Sequence, residues 1–116
     1  ALRSPGSSEA VTLRSLLDAD EVALPVPVRT ELLMGTRTSH RSALARALAG
    51  LPLLYPTDES WREIDRWTDR LSAAGHTFSL GDLLIGVLAA EQGALVWSLD
   101  DDFARMARLD LIRLYT

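Results

Sequence analysis

The carboxylates of this 116-residue chain fall into three places where they can act together. Glu31 lies in "VRTELLMG", Asp82 opens "DLLIGVLAAEQG", and Asp100, Asp101 and Asp102 come directly after "ALVWS" and one leucine. Each place lies at or near the start of a predicted helix, and two of them follow a predicted strand directly. Helix capping accounts for any one of them alone. The helix macrodipole favours an acid in the first turn by roughly 0.3–1 kcal/mol, and an N-cap Asp satisfies free amides. Capping accounts less well for Glu31, which is flanked by Leu32, Leu33 and Met34, because a buried bare carboxylate is costly unless paired or bound to a metal. Nor does capping account for convergence. Clustered carboxylates repel, and a hard divalent cation with oxygen ligands is the usual resolution.

The elements that must position these residues read as alternating helices and strands. A helix is expected from about Ser8 to Ala19, with Val11, Leu13, Leu16 and Leu17 at helical spacing. "VALPV" (Val22 to Val26) reads as a buried strand, although Pro25 argues against it. Pro27 then sits where a first helical turn tolerates it, and that helix stops near Gly35. "SHRSALARALAG" is a second helix, capped by Ser39 or Ser42 and ended by Gly50. "LPLLYP" is extended, and Thr57 or Asp58 caps a helix with Trp61, Ile64, Trp67 and Leu71 on one core stripe, ending at Gly75. "HTFSLG" is a loop and "DLLIGVLAAEQG" a largely buried helix. "ALVWS" is a strand, "DDFARMARL" a short helix and "LIRLY" a last strand. Continuous apolar strands alternating with helices mean α/β with a parallel sheet covered on both faces. In such sheets ligands bind beyond the carboxyl ends of the strands, where the three acidic places can meet.

Composition narrows the function. The chain is 47% hydrophobic and 24% charged, which fits a single globular domain over 1–116. A formal net charge of −4 does not mark a strongly basic nucleic-acid binder. Without cysteine, disulfides, zinc–thiolate sites and cysteine nucleophiles are excluded. Every Lys or Arg position is Arg; the absence of Lys also removes the lysine that a receiver-like phosphoacceptor domain needs. No GxGxxG or P-loop is present. No apolar run reaches the roughly 18 residues of a membrane span, and the first residues have no signal-peptide pattern, so a cytoplasmic protein without membrane association is expected.

From about Leu13 to Tyr115 the sequence resembles the PIN-domain ribonucleases, of the VapC-like kind that serve as toxins in VapBC toxin–antitoxin pairs. The resemblance rests on "VALPVPVRTELLMG", on "DLLIGVLAAEQGALVWSLDDDF", and on their order and spacing. It implies a three-layer α/β/α domain around a central parallel sheet. It implies Mg²⁺- or Mn²⁺-dependent endonucleolytic cleavage of RNA, a VapB-like antitoxin partner and a homodimer. The family's acidic positions match Glu31, Asp82, and Asp100 and Asp102 in the pattern Ser98, Asp100, Asp102, Phe103, with Asp101 in the variable place. Glu31, Asp82 and Asp100 are then expected as metal ligands, directly or through water, and Asp102 as a fourth ligand or as a helix cap. Ser98 would hydrogen-bond behind them. Arg29 and Arg37, flanking Glu31, are candidates for RNA phosphates or for plain solvated surface.

Members of that family begin with an apolar strand in mid-sheet that ends in an Asp, the first acidic ligand. No such segment is found here, and "ALRSPGSSEAVTLRSLLDADE" resembles the part of those proteins that comes after the strand. Residues missing from the sequence, a strand from another chain, or a degenerate homologue would each explain this. The last makes the alternative function a catalytically impaired protein-binding module. His40 and His76 are expected at the surface or in structural roles. Trp97 is expected either to pack beneath the site or to stack on a base.

Overall fold

The computed structural model describes residues 22–98 and 100–115; the helix expected over Ser8 to Ala19 lies outside them. Leu24–Pro25 (β1) pairs in parallel with Leu53–Leu54 (β2), with Leu24 opposite Leu53. Leu95–Val96 (β3) pairs in parallel with Arg113–Leu114 (β4), with Leu95 opposite Arg113. Among the described residues the expected parallel sheet is therefore present as two separate pairs. Five helices connect and cover them: Val26–Met34 (α1), Thr38–Leu48 (α2), Asp58–Ala73 (α3), Leu80–Glu91 (α4) and Asp101–Arg108 (α5). Helix α4 packs against both β1 and β3, and so bridges the two pairs. No helix among the described residues is long and apolar enough to cross a membrane.

The strands are shorter than the apolar runs suggest, for local reasons. In "VALPV", Leu24 N–H donates to the Pro52 carbonyl at 2.8 Å. Pro25 has no N–H to offer, ends the strand and serves as N-cap of α1, with Pro27 in the first turn. Helix α2 starts one residue before Ser39: its N-cap is Arg37, without a side-chain cap, and its C-cap is Ala49, not Gly50. Thr57 caps α3 through a reciprocal capping box, its hydroxyl accepting from Ser60 N–H while Ser60 Oγ accepts from Thr57 N–H.

The buried stripe of α3 is Ser60, Ile64, Trp67 and Leu71. This corrects the expected placement of Trp61, which is 44% exposed. Trp61 lies one residue, or about 100° of helical turn, off a row spaced at i, i+4, i+7 and i+11. Ser60 takes the buried place. Its hydroxyl donates to Glu91 Oε1 at 2.8 Å and ties the start of α3 to the end of α4. The main core joins Ile64, Trp67 and Leu71 to Leu83 and Val87 of α4, Phe103 and Met106 of α5, and Val96, Leu111 and Ile112 around β3 and β4. By contrast, α1 and α2 contribute no buried residue.

Gly86 lets α4 approach that core closely. A Cβ there would lie 3.0 Å from Met106 Sδ and 3.1 Å from Trp67 Cζ3. Overpacking costs typically 1–3 kcal/mol, against about 1 kcal/mol gained by Ala over Gly in a helix interior. Met106 can yield, but the indole is rigid and walled in. Gly86→Ala should therefore lose about 1 kcal/mol net, read as a lower urea midpoint at unchanged m. An unchanged or raised midpoint would mean that the crossing has slack.

Candidate metal centre

The site forms where the N-termini of α4 and α5 converge. Ser79 is the N-cap of α4, and its hydroxyl accepts from Asp82 N–H at 3.2 Å, which seats Asp82 in the first turn. The sequence signal for this was "SLGD", a Ser followed three residues later by an acid. Asp100 caps α5, its Oδ1 accepting from Asp102 N–H at 2.9 Å, while its own N–H donates to Ser98 Oγ at 3.1 Å. The cap role therefore falls on Asp100 and not on Asp102, because α5 begins at Asp101, two residues earlier than Phe103. Asp101 is exposed.

One carboxylate oxygen from each of Asp82, Asp100 and Asp102 lies within 4.8 Å of the other two. Three like charges at that spacing are offset only in part by the two helix N-termini. The cost shows on Asp82, whose carboxyl is pushed up to about 6. Partial burial is the largest cause, followed by its hydrogen bond with Asp102 and the charges of Asp102 and Asp100; the Ser79 hydroxyl opposes them. Such a set suits a hard cation. Opposite oxygens around Mg²⁺ lie about 4.2 Å apart, twice its bond length, and the ion usually takes one or two carboxylates and keeps its waters. Asp82, Asp100 and Asp102 are the residues that can hold it.

Glu31 comes near this trio without joining it. Its side chain reaches the start of α4, where a Cβ on Gly81 would sit 3.3 Å from Glu31 Oε1. The carboxylate therefore comes close to the backbone one residue before Asp82. Glu31 is exposed, not buried as its apolar neighbours suggest, because Leu32 and Leu33 take the half-buried face of α1. Arg29 lies on α1 and Arg37 just before α2, and neither forms an ion pair with a described residue. His40 is exposed on α2, and His76 is half-buried in the loop before α4. Trp97 is half-buried directly after β3.

Arg105 is the residue that sequence reading missed. Its Nη2 donates to Asp102 Oδ1 at 3.1 Å and to the Thr77 carbonyl at 3.0 Å. Its guanidinium carbon stands 3.9 Å over the centroid of the Phe78 ring. The i,i+3 spacing from Asp102 was visible in the sequence; the approach of the 76–79 loop was not.

An α/β fold with parallel strands carries an acidic cluster at two helix N-termini, and comparison with known proteins gives the family. The PIN domain family model matches residues 4–109. VapC ribonuclease Mb1587 from Mycobacterium bovis and ribonuclease VapC11 from Mycobacterium tuberculosis are each 34% identical over 112 residues, covering 92% of this chain and 84% of theirs. A solved structure from VapBC-5 of M. tuberculosis, a member of the VapBC family of toxin–antitoxin systems, superposes with a TM-score of 0.67 at 26% identity, covering 80% of this chain and 79% of that one. The chain belongs to the PIN domain family, with VapC ribonucleases among its relatives.

Proposed function

We propose that this protein is a Mg²⁺- or Mn²⁺-dependent endoribonuclease. In this reading it is the toxin of a type II toxin–antitoxin pair, acts in the cytoplasm as a homodimer, and is held inactive by a VapB-like antitoxin. The observation that carries the reading is the convergence of Asp82, Asp100 and Asp102 on two helix N-termini, in a PIN domain whose relatives are named as ribonucleases.

Asp82, Asp100 and Asp102 would hold the cation through their carboxylates. Glu31 extends the acidic edge from α1 toward Gly81. Ser98 fixes the turn that presents Asp100. Arg29 and Arg37 meet RNA phosphates, which positions the strand without reading its sequence. A bound divalent cation supplies Lewis acidity at the scissile phosphate and offsets transition-state charge.

The test is cleavage of structured RNAs by purified protein with Mg²⁺, with Mn²⁺, and with a chelator. Discrete RNA fragments are expected with either ion and none with chelator, while DNA of matching sequence stays intact. Cleavage that survives chelation, or no cleavage with either ion, sinks the reading.

A further inference from the structure

We propose that Arg105 is a positioning residue that sets the spacing of the acidic trio, by clamping the start of α5 to the loop that leads into α4. The inference rests on the reading that the trio holds a divalent cation. Three contacts converge on one guanidinium: Asp102 Oδ1 at 3.1 Å, the Thr77 carbonyl at 3.0 Å, and the face of Phe78 at 3.9 Å. Phe78 directly precedes Ser79, the cap whose hydroxyl seats Asp82. The clamp therefore runs from one candidate ligand to the helix start that carries another. It occupies Oδ1 of Asp102 from one side, fixes the carboxylate's rotamer, and leaves the remaining lone pairs for a cation.

An exposed ion pair alone is worth little, and the Arg105 and Asp102 side chains are 31% and 43% exposed. What sets this pair apart is its sharing of one planar group with a backbone carbonyl and an aromatic face. Lysine's point charge cannot serve all three at once. The alternative role, a counter-charge to the carboxylates, predicts the opposite sign. Deleting a positive charge beside three negative ones strengthens cation binding by Coulomb's law. Deleting a clamp weakens it by letting the ligands separate.

The experiment is Mn²⁺ binding, followed by electron paramagnetic resonance of the free ion, for wild type, Arg105→Met and Arg105→Lys, with thermal melts alongside. Arg105→Met keeps the apolar stem against Phe78 and removes the fork. It should weaken Mn²⁺ binding about tenfold, as loss of a group orienting a metal ligand does, at a melting temperature close to wild type. Arg105→Lys should recover only part of that loss. Binding by Arg105→Met that equals or exceeds wild type overturns the proposal. If Arg105→Met fails to fold, Phe78→Leu carries the test by removing the stack alone. Weakening of about threefold supports the clamp, and unchanged affinity overturns it. A wild type that takes up no Mn²⁺ overturns both this proposal and the metal-dependent reading. A wild type that binds Mn²⁺ but cleaves no RNA overturns the nuclease reading alone, and the affinities still decide the role of Arg105.

Discussion

If the trio is the catalytic metal centre, Asp82→Asn should cut RNA cleavage by a factor of about a thousand or more and make the metal-free chain more stable. Both effects come from one charge. A thousandfold loss is about 4 kcal/mol of transition-state stabilisation, within the several kcal/mol that a cation contributes at a phosphoryl oxygen. Asparagine keeps the size of Asp82 but offers a neutral amide to the ion. The stability effect has a sign fixed by the raised carboxyl, about 6 in the folded chain against about 3.9 when unfolded. Between those values the native state binds more protons than the unfolded one, so wild-type stability falls as pH rises through that window and stays lowered above it. The amide does not titrate, so the variant lacks this dependence. In chelator, the gain from Asp82→Asn should be largest near pH 7.5 and vanish by about pH 4, where Asp82 is largely protonated in the native state and about half protonated in the unfolded one. With Mn²⁺ the order reverses, because only wild type gains from binding the ion. Denaturant midpoints at two pH values, with and without Mn²⁺, measure this alongside cleavage. Wild-type cleavage by Asp82→Asn, or a stability difference independent of pH, removes Asp82 from the site.

The second large effect concerns the core. Trp67→Ala should cost about 3–5 kcal/mol, much of the 5–15 kcal/mol that holds a domain of this size together. The melting temperature should fall by about 15–25 °C. Trp67 is 6% exposed and meets α4 at Gly86. Truncating it leaves a cavity at the junction of α3, α4 and α5 that no neighbour can fill without dragging a helix. Trp61→Ala, six residues away on the same helix, is the control. With 44% of its surface in water, it should cost no more than about 1 kcal/mol. Equal losses at the two positions would mean that the indoles had been assigned to the wrong faces of α3.

Element order was legible because period and punctuation agreed. Thr57, Gly75 and the apolar run of α4 each marked a boundary or a burial that the fold repeats. The convergence of Asp82 with Asp100 and Asp102 was legible too, since parallel α/β topology sends helix starts to one edge. What was hidden depended on rotation or on contact at a distance. Trp61 and Ser60 differ by one residue of phase, and hydrophobicity alone ranks them in the wrong order. Glu31 looked buried because its neighbours are apolar, yet α1 turns those neighbours and its own carboxylate to different sides. Only the i,i+3 pairing of Arg105 with Asp102 could be read; its other partners, Thr77 and Phe78, lie 28 and 27 positions earlier.

The uneven distribution of the core sets a timetable for the site. Nearly all buried apolar surface among the described residues joins α3, α4, α5, β3 and β4, while α1 and α2 bury no residue. Segments with few buried contacts open long before the whole molecule does. Asp82, Asp100 and Asp102 are carried by the two helices that join this core. Glu31 rides on a helix that buries none of its own residues, so the α1 amides should exchange with solvent ahead of those of α4 in a hydrogen-exchange measurement.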